Sequence, residues 1–230
     1  MAGLATGGPN MDVSLLYGIN GLAQRAPDWL DRAVAAAGEY GLLTALVLLV
    51  LWCWRGVRKR PAPAAAEGFA ALVWAPLAAA IALLLNVPLR EFVARPRPFR
   101  QHGGLEVLAS GRHDFSFVSD HAALAMALGV GLFMANRKLG FAGIGLALAV
   151  GLCKVYTGEH YPTDVVGGLA LGTAVVLLLA PLAMALLTPP ARALAASRRV
   201  GWLVRARGCA PAQPVDLPRA AAARESDLAA

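Results

Sequence analysis

Long apolar runs separated by short polar connections dominate this chain. A helix that crosses a bilayer needs about 20 predominantly apolar residues. Five runs reach or approach that length: residues 33–54, 68–89, 122–136, 139–153 and 165–190. The third and fourth runs are short, and they reach spanning length only by including residues 117–121 and 154–158. The pattern therefore predicts an all-α fold, a polytopic membrane helix bundle with about five transmembrane helices.

The two ends of the chain differ from this central domain, which we assign to residues 33–190. Residues 12–32 mix apolar and charged positions, which is typical of helices that lie in the membrane interface. We therefore predict N-terminal interfacial helices within residues 1–32. Residues 191–230 form a basic tail, and from Gly208 onward it is rich in Ala, Pro and Arg without apolar periodicity, so we expect it to be disordered.

Composition supports the integral-membrane class. Of the 230 residues, 58% are hydrophobic and only 15% are charged, which leaves too little polar surface for a soluble domain. The net charge of +7 comes from arginines beside apolar runs, so the expected anionic partners are membrane lipids and no nucleic acid. Cys53, Cys153 and Cys209 have no metal-binding or disulfide spacing, so we expect neither a zinc site nor a disulfide framework. The chain as a whole is expected to hold no metal and no cofactor.

Basic residues in the connections predict the orientation. Lys and Arg are concentrated in residues 55–60, 137–138 and 192–207, three stretches that fall on one side of the membrane. We expect this side, with the C-terminus, to be cytoplasmic. The loop of residues 90–117 and the turn at His160 then lie on the extracytoplasmic side of the cell membrane.

Three polar stretches fall together on that second side. They are REFVARPRP at residues 90–98, FVSDH at 117–121 and KVYTGEHYPTD at 154–164. Arginine presents a planar fork that matches phosphate oxygens, and lysine adds a point charge. Ser119 and the amides after it open a helix, where anions are favoured. The three stretches therefore predict a phosphate site.

His160 and Asp164 add a nucleophile to this site. They are four residues apart, so the carboxylate is expected to accept a hydrogen bond from one ring nitrogen and leave the other nitrogen basic. His121, at the start of the third run, is available as a proton donor.

Other polar residues nearby receive simpler interpretations. We expect His102 and His113 to be surface loop residues, and Arg95 and Arg100 to contact lipid headgroups. For Glu159 the sequence leaves two alternatives open, a solvated neighbour or a side chain that tunes the adjacent histidine.

Taken together, the motifs resemble those of a known family. RxxxxxxRP at residues 90–98, VSDH at 118–121 and CKxxxxxHxxxD at 153–164 resemble KxxxxxxRP, PSGH and SRxxxxxHxxxD of the type 2 phosphatidic acid phosphatase superfamily. Order and internal spacing agree. The residues of the second and third motifs are similar to those of bacterial undecaprenyl-diphosphate phosphatases of the bacitracin-resistance type.

The resemblance implies a role for each site residue. His160 would attack phosphorus to form a phosphohistidine, Asp164 would hold its ring, and His121 would protonate the departing oxygen and later activate water. The phosphoryl oxygens would be held by Arg90, Arg97, Ser119, the Asp120 backbone amide and Lys154. The family needs no metal.

Four positions depart from the family pattern. Arg90 replaces lysine and keeps the charge, and Val118 replaces proline without loss of a reactive group. Cys153 replaces serine, and Lys154 replaces an arginine whose forked contact a lysine cannot reproduce.

The resemblance implies an enzyme, a metal-independent lipid phosphatase. Its expected substrate is undecaprenyl diphosphate or a related isoprenoid diphosphate, cleaved to the monophosphate and inorganic phosphate in support of carrier-lipid recycling for cell-wall synthesis. Phosphatidate, phosphatidylglycerol phosphate and other prenyl phosphates are alternative substrates. A lipid-phosphate binding or transport protein without turnover is the alternative outside enzymes, and the oligomeric state is left open.

Overall fold

The fold consists of helices. The computed structural model describes residues 10–108 and 114–206. Its α-helices are, in chain order, α1 (Met11–Ala23), α2 (Asp28–Ala36), α3 (Leu42–Val57), α4 (Ala62–Val93), α5 (Pro98–Gln101), α6 (Asp120–Ala135), α7 (Arg137–Tyr156) and α8 (Pro162–Ala196). A π-helical turn, Ala37–Gly41, joins α2 to α3, and a 3-10 turn, Gly201–Leu203, follows α8. The predicted all-α fold is confirmed.

Four stretches are long and apolar enough to cross a bilayer. They are Asp28–Val57, Ala62–Gln101, Arg137–Tyr156 and Pro162–Ala196. A fifth apolar helix, α6, has 16 residues and packs among the others. The protein is therefore a multi-pass membrane protein, as the apolar runs predicted.

The first candidate membrane span begins at Asp28, before the predicted boundary at residue 32. α2, the π-helical turn and α3 form one continuous helical stretch, so the predicted interfacial segment runs into the first span. Pro27 precedes α2, and Asp31 anchors this helix because its Oδ1 accepts a hydrogen bond from the Tyr156 hydroxyl at 2.6 Å. This contact ties the start of the first span to the end of α7.

The last helix also extends past its predicted end at residue 190. α8 continues to Ala196, and the chain after it folds back against α3. The Trp54 indole donates to the Leu203 carbonyl at 2.8 Å, and Val204 is buried. The first part of the predicted tail is thus packed, while residues 207–230 lie outside the described part of the chain.

Small residues let the helices approach closely around α6. A Cβ added at Gly131 would lie 2.4 Å from the Cβ of Ala75 on α4, and one at Gly172 would lie 2.4 Å from the Ala123 carbonyl oxygen. Close backbone approach of this kind is how membrane helices gain packing energy, because burial of apolar side chains supplies little within lipid.

The alternating direction of the helices determines which ends meet. The C-terminal ends of α4 and α7 and the N-terminal ends of α6 and α8 lie at the same end of the bundle, which we name the polar end. α1 also reaches it, since Asp12 contacts the first turn of α8. All three predicted motifs are therefore brought to one place.

Candidate active site

His160 lies in the connection between α7 and α8 and is almost fully buried. Its Nδ1 is 2.9 Å from the Ser116 carbonyl oxygen. A carbonyl can only accept a hydrogen bond, so Nδ1 carries a proton, and in the neutral ring the lone pair is on Nε2. The Arg97 guanidinium lies next to that lone pair, with Nη1 3.4 Å from Nε2. The imidazole is thus held in the tautomer of a nucleophile.

Asp164 lacks the direct hydrogen bond to this ring that the sequence predicted. Its Oδ2 is 3.9 Å from His160 Nδ1, which is beyond hydrogen-bond distance. The carboxylate instead accepts the Tyr161 backbone N–H at 3.0 Å, as an acidic residue in the first turn of a helix often does, and it accepts the Ser116 hydroxyl. Asp164 therefore fixes Ser116, and the Ser116 carbonyl fixes His160.

Arg95 is part of this arrangement through contacts that the sequence did not predict. Its Nη1 donates to Asp164 Oδ1 at 2.8 Å, its Nη2 donates to Asp12 Oδ2 at 2.6 Å, and its guanidinium lies 3.7 Å from the centre of the Tyr161 ring. The guanidinium supplies the positive charge beside the buried Asp164 carboxylate. Burial of an ionised carboxylate is tolerated only with such a partner.

Asp12 brings α1 into the site. Its Oδ1 accepts the backbone N–H of Thr163 at 3.0 Å, and its Oδ2 accepts the Thr163 hydroxyl at 2.6 Å. The N–H groups in the first turn of a helix have no partner within the helix. A carboxylate from α1 therefore caps α8 next to His160.

Two arginines are held by one carboxylate, Asp114. Arg97, almost fully buried, donates from Nη2 to Asp114 Oδ1 at 2.8 Å, and Arg90 Nη1 donates to Asp114 Oδ2 at 3.0 Å. Partial burial acts to raise the pKa of Asp114, but the charges of Arg97 and Arg90 and the Arg97 hydrogen bond lower it overall. Asp114 therefore stays ionised at neutral pH and keeps both guanidinium groups in place.

The start of α6 carries the second motif. Asn86 on α4 donates to the Val118 carbonyl at 3.0 Å and to Asp120 Oδ1 at 2.6 Å, and Arg90 Nη2 forms an ion pair with Asp120. The Ser119 hydroxyl is buried and has no hydrogen-bond partner within the described residues. Because an unpaired buried hydroxyl is costly, this group is suited to a phosphoryl oxygen.

Lys154 and His121 meet at a carboxylate from the first span. Lys154, 1% exposed, forms ion pairs with Glu39 and with Glu159, whose Oε1 lies 3.1 Å from Nζ. Glu39 also lies beside His121, with Oε1 3.6 Å from Nε2. Glu159 is buried, so the solvated alternative for this residue is wrong.

These contacts join all of the predicted site residues. The Ser119 N–H donates to the Asp164 carbonyl at 3.1 Å, and the His160 N–H donates to the Lys154 carbonyl at 3.2 Å. His121 is linked to this group through Glu39. The predicted residues are His160, His121, Asp164, Arg90, Arg97, Ser119, Asp120 and Lys154.

Five residues of the network were not predicted: Glu39, Asn86, Asp12, Asp114 and Ser116. For Glu39 and Asn86 a signal existed, because each is a polar residue inside an apolar run and such residues are commonly functional. The other three lie in polar stretches where nothing distinguishes them.

Two further histidines, His102 and His113, were predicted to be surface loop residues. The His102 ring packs between Tyr17 and Tyr161, with ring centres 6.2 and 5.9 Å apart, so it is more than a surface loop residue. His113 lies outside the described residues.

Across residues 10–108 and 114–206, no group of three or more His, Cys, Asp or Glu side chains is placed to hold a metal ion.

Comparison with known proteins gives the family. The PAP2 superfamily model matches residues 71–186. Undecaprenyl-diphosphatase BcrC of Bacillus subtilis is 28% identical over 160 residues, which are 69% of this chain and 77% of that protein. The putative undecaprenyl-diphosphatase YbjG of Escherichia coli is 27% identical over 165 residues, 71% of this chain and 78% of that protein.

One solved structure has a fold similar to that of this chain. The crystal structure of Aquifex aeolicus LpxE superposes with a TM-score of 0.54 at 22% identity, covering 74% of this chain and 95% of that chain. The family match covers half of the chain and includes all three motifs. The resemblance seen in the motifs is confirmed, and the chain belongs to the PAP2 superfamily.

Proposed function

We propose that this membrane phosphatase hydrolyses undecaprenyl diphosphate, or a related isoprenoid diphosphate, to the monophosphate and inorganic phosphate. The observation that carries the proposal is the His160 ring, whose Nδ1 proton is bound to the Ser116 carbonyl and whose Nε2 faces Arg97. The relatives named undecaprenyl-diphosphatase support the substrate class. This activity would support carrier-lipid recycling for cell-wall synthesis.

The reaction proceeds in two steps. His160 Nε2 attacks the terminal phosphorus, the bond from phosphorus to the bridging oxygen breaks, and a phosphohistidine forms. His121 protonates the bridging oxygen, which leaves on the lipid monophosphate. The same histidine then takes a proton from water, and the resulting hydroxide displaces phosphate from His160.

Positive groups stabilise the charge that develops on the phosphoryl oxygens. Arg97 is in place beside His160 Nε2, and Arg90 is held next to it through Asp114. Lys154 adds a third positive charge, and the Ser119 hydroxyl and the Asp120 amide add neutral hydrogen-bond donors. No metal is assigned a role in this mechanism.

Substitution of the nucleophile tests this function. Purified His160→Ala protein should release no phosphate from prenyl diphosphates that the wild type hydrolyses. Phosphate release should be measured on a panel with phosphatidate, phosphatidylglycerol phosphate and prenyl phosphates, each with and without a chelator. Retained activity of the variant would refute the mechanism, and loss of wild-type activity on chelation would refute metal independence.

A second candidate, a lipid-phosphate binding protein without turnover, is favoured by one observation. Lys154 is already paired with two carboxylates, so its charge is not free to stabilise the negative charge that develops during phosphoryl transfer, while the Ser119 hydroxyl, unpaired within the described residues, can still bind a phosphate group. Binding of panel lipids by the wild type without phosphate release would establish this alternative.

We also propose that the polar end faces the extracytoplasmic side and that the C-terminus is cytoplasmic. Support comes from the basic residues at the opposite end, where Lys138 is exposed. In a cysteine-free variant, Gly103→Cys should react with an impermeant maleimide in intact cells, and Lys138→Cys should react only after lysis. The reverse pattern would contradict the orientation.

A further inference from the structure

Glu39 reaches the polar end from the π-helical turn of the first span. π-helical turns are rare and occur often at functional sites. The turn approaches α7 closely, because a Cβ added at Gly38 would lie 2.6 Å from the Cβ of Cys153. The Gly38 backbone therefore packs one residue away from Lys154, and the Glu39 side chain extends to the ammonium group.

The ammonium group of Lys154 lies within hydrogen-bond distance of three carboxylate oxygens. One oxygen belongs to Glu39, and two belong to Glu159, at 3.1 and 3.3 Å. A lysine ammonium has no fourth N–H. A phosphoryl oxygen that binds Lys154 therefore competes with these carboxylate oxygens for its N–H groups.

The two carboxylates differ in how firmly they are held. Glu159 is buried and also accepts the Thr157 hydroxyl at 3.1 Å. The Glu39 side chain is 26% exposed and comes from a separate helix, and its Oε1 lies 3.6 Å from His121 Nε2. Glu39 is thus the carboxylate that can move aside at lower cost, since exposed ion pairs are weaker than buried ones.

We propose that Glu39 is a positioning residue whose carboxylate holds Lys154 and competes with the substrate phosphate for it. This inference rests on the proposed function, in which Lys154 binds the phosphoryl group. The competing carboxylate weakens the binding of substrate and of the product phosphate alike. It thereby prevents inorganic phosphate from remaining bound to the site after hydrolysis.

Replacing the carboxylate with a neutral amide tests the proposal. For Glu39→Gln, the KM for a short-chain prenyl diphosphate and the inhibition constant of inorganic phosphate should both fall, by about tenfold for loss of one close charge. Glu39→Asp keeps the charge but withdraws it from Lys154, so its values should lie between those of the wild type and Glu39→Gln. A damaged fold would lower kcat without raising affinity for phosphate.

A double-mutant cycle shows whether the effect passes through Lys154. In a Lys154→Met background, Glu39→Gln should change neither constant. Glu67→Gln is the matched control, since Glu67 is an exposed carboxylate paired with Arg192 at the opposite end, and it should behave as the wild type. If Glu39→Gln turns over too slowly, stabilisation by inorganic phosphate in thermal unfolding gives the same comparison.

The outcomes separate the two proposals. Unchanged or raised constants in Glu39→Gln, in a wild type that hydrolyses the prenyl diphosphate, would overturn the role of Glu39 alone. A wild type that releases no phosphate from any lipid diphosphate would overturn the proposed function, and the role of Glu39 with it.

Discussion

His160 and Asp164 lie near each other without a direct hydrogen bond, and the residues between them explain how the ring is held. The Ser116 hydroxyl binds Asp164, and the Ser116 carbonyl binds His160 Nδ1. Arg95 binds the other oxygen of Asp164. The orientation of His160, the proposed nucleophile, thus depends on a chain of polar contacts, in which Arg95 acts only through Asp164.

Arg95→Met should lower kcat while KM changes little, because the substituted residue supports His160 without touching substrate. A fall of about tenfold, the equivalent of ~1.4 kcal/mol in the barrier, is expected from steady-state kinetics on a prenyl diphosphate. Arg192→Met, which removes an exposed arginine at the opposite end, is the control and should leave kcat unchanged. An unaltered kcat in Arg95→Met would show that Asp164 does not need this partner.

Among the elements, α6 and α8 carry the second and third motifs, and glycines set their separation. A Cβ at Gly168 would lie 2.5 Å from the Ser119 carbonyl oxygen, and a Cβ at Gly172 would lie 2.4 Å from that of Ala123. Both obstacles are backbone atoms, which cannot rotate away. The close approach of the two helices therefore places Ser119 beside Asp164.

Gly172→Ala should separate α6 from α8 and so reduce both stability and activity. Overpacking of this kind costs about 1–3 kcal/mol. Thermal unfolding in detergent and phosphate release are the measurements. Gly145→Ala on α7 is the matched control, because a Cβ there meets nothing within 4 Å. Equal behaviour of the two variants would contradict the packing account.

The elements also show what a single sequence can and cannot reveal. Apolar runs predict the spanning helices because lipid requires their length and composition. Motif spacing predicts His160, His121 and Asp164 as site residues, and the helices bring them to one end of the bundle. The pairing of Glu39 with Lys154 joins residues 115 positions apart. Such a contact depends on how the helices pack, and no local pattern encodes it.

The whole molecule has two chemically distinct ends. Alternating helices bring the three motifs, α1 and Glu39 to the polar end, while the basic connections collect at the other. Helices packed through small residues hold a compact set of charges at the edge of the apolar bundle. That arrangement suits a reaction between a lipid-borne phosphate and water.

We propose above all that this molecule transfers a phosphoryl group to His160. The direct measurement is mass spectrometry of the protein quenched in base during turnover of a prenyl diphosphate, with His121→Ala used to slow hydrolysis of the intermediate. Because Nδ1 is bound to the Ser116 carbonyl, we predict a phosphoryl group on Nε2 of His160. Phosphate release without a modified His160, or a phosphoryl group on another residue, would contradict the account.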